Sequence, residues 1–136
     1  MTGSSLSRNY LVKAQTRLKA LQVLYNDEDY SDVVREAQEI VELCTKGMLR
    51  AVGIDPPRLH DVGSLLVENA ERFPETVRTR LPGLAETSKN LRKEREFAFY
   101  GDDDFLPLEE YGRAEADRAM TGAEEAVRLA GMVIRE

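Results

Sequence analysis

An all-α, mainly antiparallel bundle of about five helices is the fold class this sequence predicts, and three observations carry it. Apolar residues recur at three- and four-residue spacing over long stretches, no segment sustains strict apolar–polar alternation, and breakers such as Gly53, Pro56, Pro57, Pro74 and Pro82 punctuate the periodic stretches. The clearest stretch is SDVVREAQEIVELCTKGMLRAVG, where Val33, Ala37, Ile40, Val41, Cys44, Met48 and Val52 share one helix face. Gly53 can adopt the left-handed backbone that ends such a helix, and Pro56 and Pro57 forbid its continuation.

Before it, a first helix is expected from Ser5 or Ser7, either able to cap it, to about Tyr25, with Leu11, Ala14, Leu18, Leu21 and Tyr25 forming a narrow seam. Asp29 or Ser31 is expected to cap the second helix. A third, short helix is expected over 61–72, ended by Pro74, and a turn from Glu75 to Leu81 is expected to close at Pro82 and Gly83. The fourth helix is expected from Leu84 to Phe99 and carries Lys89, Arg92, Lys93 and Arg95. The last, from Tyr111 to Ile134, aligns Ala116, Ala119, Ala123, Val127, Ala130 and Ile134, small enough for a neighbouring helix to approach closely.

At 136 residues the expected organisation is a single domain over 1–136. With 25 acidic against 19 basic side chains the net charge is −6, so no overall field draws the chain to phosphates or anionic membranes, and any nucleic-acid contact must be local. Cys44 is the only cysteine, which excludes an internal disulfide and a cysteine metal cage; its apolar helix face makes it a small core residue. No apolar run approaches the ~20 residues needed to cross a bilayer, and no secretory signal core is present, so a cytoplasmic protein without membrane contact is expected.

The order AQEIVELCTKGMLRAVGIDPPRLHDVGSLL, then LRKEREFAFYG, then an alanine-rich final helix, resembles the HEPN domain (higher eukaryotes and prokaryotes nucleotide-binding) from Arg8 to Ile134. The resemblance implies a small helical bundle that dimerises, often beside a minimal nucleotidyltransferase. In its better characterised branch it implies a metal-independent ribonuclease acting as a toxin or defence effector. That branch carries an arginine, a polar neighbour and a histidine after four to six intervening residues, and two copies of the signature face each other across a dimer cleft. The arginine there holds phosphate and the histidine handles the ribose proton. The matching segment here runs Arg95, Glu96, Phe97, Ala98, Phe99, Tyr100, with Tyr100 in the histidine position. An unperturbed tyrosine ionises near pH ~10 and supplies little base at neutral pH.

His60 belongs to a different loop from the signature arginine, so the family spacing does not transfer to it; beside Asp61 it is read as capping or orienting the third helix, with a catalytic role as the alternative, and Arg58 beside it could make a small phosphate site with the helix start. Arg92 and Arg95, three residues apart, can lie on one helix face and grip a phosphate, whereas Glu94 and Glu96 make the same run readable as a solvated surface. Phe97 and Phe99 are read as buried, and Tyr100 as the open aromatic. The tyrosine that is adenylylated in nucleotidyltransferase-paired relatives corresponds to Asp102, so that modification does not transfer. Asp102 to Asp104 are read as a solvated acidic loop rather than a metal site.

Leu43 and Leu49 lie off the main stripe of the long helix and are expected to contribute to an intermolecular face. The expectation is a homodimeric binding module for nucleotide, RNA or a nucleotidyltransferase partner, with Arg92, Arg95 and Tyr100 as the binding residues. It includes no catalytic residue, no metal and no cofactor. The alternative is a divergent metal-independent ribonuclease of a toxin–antitoxin or defence system.

Overall fold

The computed structural model describes residues 3–58, 62–99 and 111–134, with backbone alone for residues 3, 4 and 94–99. Helices α1 (Gly3–Asn26), α2 (Tyr30–Ala51), α3 (Val62–Glu68), α4 (Glu75–Arg78), α5 (Leu81–Phe99) and α6 (Arg113–Val133) follow one another, with a 3-10 turn at Ala70–Arg72. Among the described residues there is no strand.

α2 is the axis of the bundle, and α1, α5 and α6 all pack around it, with α3 also against it. Its predicted stripe is buried: Val33, Ala37, Ile40, Cys44 and Met48 are completely covered, and Val52 packs on the core from a half-buried position. Because helices press on it from several sides, burial also takes in Val34, Gln38, Thr45 and Leu49, beyond a single stripe. This corrects the expected second face at Leu49. Leu49 is fully buried within its own chain and so is closed to a second copy, whereas Leu43 packs on the same core and stays partly exposed.

Helix boundaries follow local chemistry. Asp29 caps α2, accepting from the Asp32 N–H at 3.4 Å, and Ser31 Oγ donates to the same carboxylate at 3.3 Å. At the other end Gly53 takes φ +89°, Gly53 N–H bonds Arg50 O at 3.0 Å and Ile54 N–H bonds Leu49 O at 2.9 Å. That pair of bonds is the glycine-dependent C-terminal motif anticipated for this position. Arg72 adds a guanidinium donor to Val52 O at 3.1 Å.

Three boundaries differ from expectation. α1 starts at Gly3, so Ser5 and Ser7 lie inside it; Ser7 is buried where α1 meets Gly47, a position at which a Cβ would stand 3.5 Å from Ser7 O and 3.0 Å from Ile134 Cδ1. The third helix ends at Glu68, and Asn69 turns its side-chain amide back onto Leu65 O at 2.9 Å before the 3-10 turn. Pro82 and Gly83 open α5 rather than closing a turn, since a proline in the first helical turn sacrifices no internal hydrogen bond.

The Asp32 carboxyl is pushed up to about 6 by burial, by its hydrogen bond with Asp29 and by the Asp29 charge. A raised folded pKa favours the fold below the unfolded value of 3.8 and withdraws that contribution as pH rises through about 6. Asp32→Asn is therefore expected to stabilise the protein near neutral pH but not near pH ~4. Solvent screening at this half-exposed site holds the gain to about 0.2–1 kcal/mol. Urea unfolding of both proteins at the two pH values checks it; an equal effect at both would contradict the assignment.

Candidate nucleic-acid interface

α5 carries two of the predicted binding residues, Arg92 and Arg95, and Leu81, Leu84, Ser88 and Leu91 hold one of its faces against the bundle. That leaves Lys89, Asn90, Arg92 and Lys93 exposed. Arg92 is thus on the solvent side of the helix, and it already engages a neighbouring group. Arg95 continues the same helix three residues on, which puts its backbone on nearly the same side; its side chain lies outside the described residues. Tyr100, Asp102 to Asp104, His60 and Asp61 also lie outside the described residues, as do the side chains of Phe97 and Phe99. Among the described residues, no group of three His, Cys, Asp or Glu side chains is arranged to hold a metal ion, and no helix is long and apolar enough to cross a membrane. Cys44 is a core residue as expected, and burial pushes its thiol up to about 12, which removes the thiolate that a nucleophile requires.

Beside this face runs a groove that sequence patterning did not disclose. α5 and α6 lie antiparallel, as Arg80 opposite Glu125 and Leu91 beside Ala119 require. At Gly122 they approach closely, since a Cβ there would stand 2.7 Å from Thr87 Cγ2. The groove has a lobe of about 520 Å³ lined by Arg80, Leu84, Asp117 and Thr121 among others. A second lobe of about 340 Å³ is lined by Val34, Asn90, Leu91, Tyr111, Glu115 and Ala119. Thr87 and Arg118 line both lobes.

Each carboxylate along this groove has a partner. Glu125 receives Arg80 at 2.7 Å and also pairs with Arg128. Glu115 Oε1 accepts the Gly112 N–H at 2.9 Å, capping α6, and backbone N–H bonds hold its carboxyl below the usual range. Asp117 accepts the Tyr25 hydroxyl at 2.6 Å, which raises the phenol above its ordinary value. Arg113 sits 5.9 Å from the Tyr25 ring centre and donates to the Tyr30 hydroxyl at 3.3 Å, so this cluster ties α6 to the α1–α2 turn.

The only signal of this arrangement in the sequence was the small-residue face of the last helix. Gly122, which meets Thr87, lies outside that face, and Thr87, Asn90 and Arg118 belong to no motif. Comparison with known proteins matches the HEPN domain profile to residues 7–134. The structure also resembles the crystal structure of TT1696 from Thermus thermophilus, with a TM-score of 0.72 and 25% identity over 91% of this chain and 94% of that one. Comparison with curated proteins yields no match.

Proposed function

This chain belongs to the HEPN domain family, and on that premise we propose that it is a dimeric binding module for nucleotide or RNA rather than a nuclease. Family membership supports the nucleotide- or RNA-related role. The observation that carries the non-catalytic reading is the segment from Arg95 to Tyr100, which keeps the signature arginine and has tyrosine where the nuclease branch has histidine. Arginine alone still holds a phosphate through a charged fork of donors, but an unperturbed tyrosine, ionising near pH ~10, is poorly matched to taking the ribose proton at neutral pH. The exposed Arg92 on the same helix adds a second phosphate donor. Two copies of the chain present two such faces, and a minimal nucleotidyltransferase is the protein partner in this reading.

The test is equilibrium binding of a labelled single-stranded oligoribonucleotide to the full chain, together with light scattering over a dilution series. Binding that saturates at one strand or fewer per two chains, with a dimer persisting at micromolar protein, is the expected result. A monomer throughout that range would remove the dimer from the proposal, and no binding of either mononucleotide or oligoribonucleotide would remove the ligand class.

A further inference from the structure

We propose that the groove between α5 and α6 seats two consecutive ribonucleosides of a single strand, one in each lobe, with Arg118 holding the phosphate that links them. This inference rests on the nucleotide- or RNA-binding reading and specifies where the strand lies. The lobes, about 520 and 340 Å³, are open depressions with volumes in the range of small-ligand sites. Each pairs an apolar wall with hydrogen-bonding groups, as a nucleoside needs. The larger is lined by Leu84 together with Thr87 and Thr121; the smaller is lined by Val34, Leu91 and Ala119 together with Asn90 and Thr87. An amide offers both a donor and an acceptor, the combination that reads the edge of a base.

The placement of charge fixes the strand's register. Arg118 lines both lobes and so stands at their junction, where the linking phosphate of a dinucleotide would lie. Its side chain is 72% exposed and its contact with Glu115 is long, at 3.8 Å. An exposed pair of that length is given up at little cost when a phosphate offers a shorter bond. The groove's other arginine, Arg80, is by contrast held at 2.7 Å by Glu125. Glu125 is neutralised by Arg80 and Arg128, whereas Asp117 and Glu115 are hydrogen-bonded by the Tyr25 hydroxyl and the Gly112 N–H and keep their charge, so Arg118 is the groove cation placed to offset them against a bridging phosphate. From Glu115 to Glu125 the α6 wall runs about 15 Å at ~1.5 Å per residue, long enough for two nucleosides and open at the surface for a strand to continue. At the smaller lobe the groove reaches Asn90 and Leu91, next to Arg92, so a strand leaving the groove there meets the basic face.

The experiment titrates the isotope-labelled full chain with adenylyl-adenosine, a dinucleoside monophosphate, and with adenosine monophosphate, following amide and arginine side-chain resonances. The dinucleotide is expected to bind about tenfold more tightly and to shift signals from Thr87, Asn90, Arg118 and Thr121 together. Arg118→Gln, at an exposed position, is expected to cost the dinucleotide about tenfold, and Thr121→Trp to block the larger lobe and reduce the dinucleotide to mononucleotide affinity. Equal affinity for the two ligands, or dinucleotide binding indifferent to both variants, would overturn the groove assignment. If oligoribonucleotide binding then still depended on Arg92, the broader reading would survive; if neither ligand nor any oligoribonucleotide bound, both would fall.

Discussion

Leu49→Ala is expected to destabilise the protein by about 2–5 kcal/mol, the range for a buried leucine whose cavity the surroundings cannot fill. Leu49 is fully covered on α2, the helix against which α1, α5 and α6 all pack, so relaxation of one neighbour is opposed by the others. Its carbonyl also accepts the Val52 and Ile54 N–H groups that close the helix, so a shift of the emptied site would be felt in the α2 C-terminal turn. Leu49→Met, which keeps the volume, is expected to cost less than about 1.5 kcal/mol. Val23, 59% exposed on α1, provides the control, and Val23→Ala should stay within about 0.5 kcal/mol of the parent. Urea unfolding at two protein concentrations decides the matter. A loss at Leu49 that appears only at low concentration would return the residue to a dimer interface and contradict its place in the core.

The second large effect concerns binding. Replacing Arg92 and Arg95 together by alanine is expected to weaken oligoribonucleotide binding by tenfold or more, at about 1.5–3 kcal/mol per charge-assisted hydrogen bond lost. The dependence on salt should flatten at the same time. Each phosphate neutralised on a single strand contributes about 0.7 to the slope of log affinity against log salt, so removing two cations should reduce the slope by about 1.4. Arg92 is exposed on a helix anchored elsewhere by Leu84, Ser88 and Leu91, so the fold should survive the change. Unaltered affinity and slope in a folded double variant would exclude this face.

Much of the bundle was legible because its signals are local. The stripe from Val33 to Met48 declares a buried helix face, and Gly53 followed by Pro56 and Pro57 declares its end, where the observed φ of +89° and the paired terminal bonds fulfil both readings. The burial of Leu49 was not legible, since periodicity reports that a helix has an apolar stripe but not how many neighbours surround it. Pro82 was misread as a stop because the same residue that breaks a helix interior is well suited to its first turn.

The candidate site divides in the same way. Arg92 and Arg95 were legible as a helical pair within a few residues, and the structure sets Arg92 on the exposed side of α5. The groove was not, because Thr87 and Asn90 meet Glu115 and Arg118 only through the antiparallel course of α5 and α6. The clasp of Tyr25, Tyr30, Arg113 and Asp117 likewise joins residues as many as 92 positions apart.

The most direct test of a binding module without nuclease chemistry is an RNA turnover assay run beside the binding assay on the same purified, contaminant-controlled protein. The oligoribonucleotide is expected to be bound and recovered intact, with or without divalent metal, and Arg95→Ala is expected to lower affinity. Cleavage that copurifies with the folded protein and disappears in Arg95→Ala would contradict it.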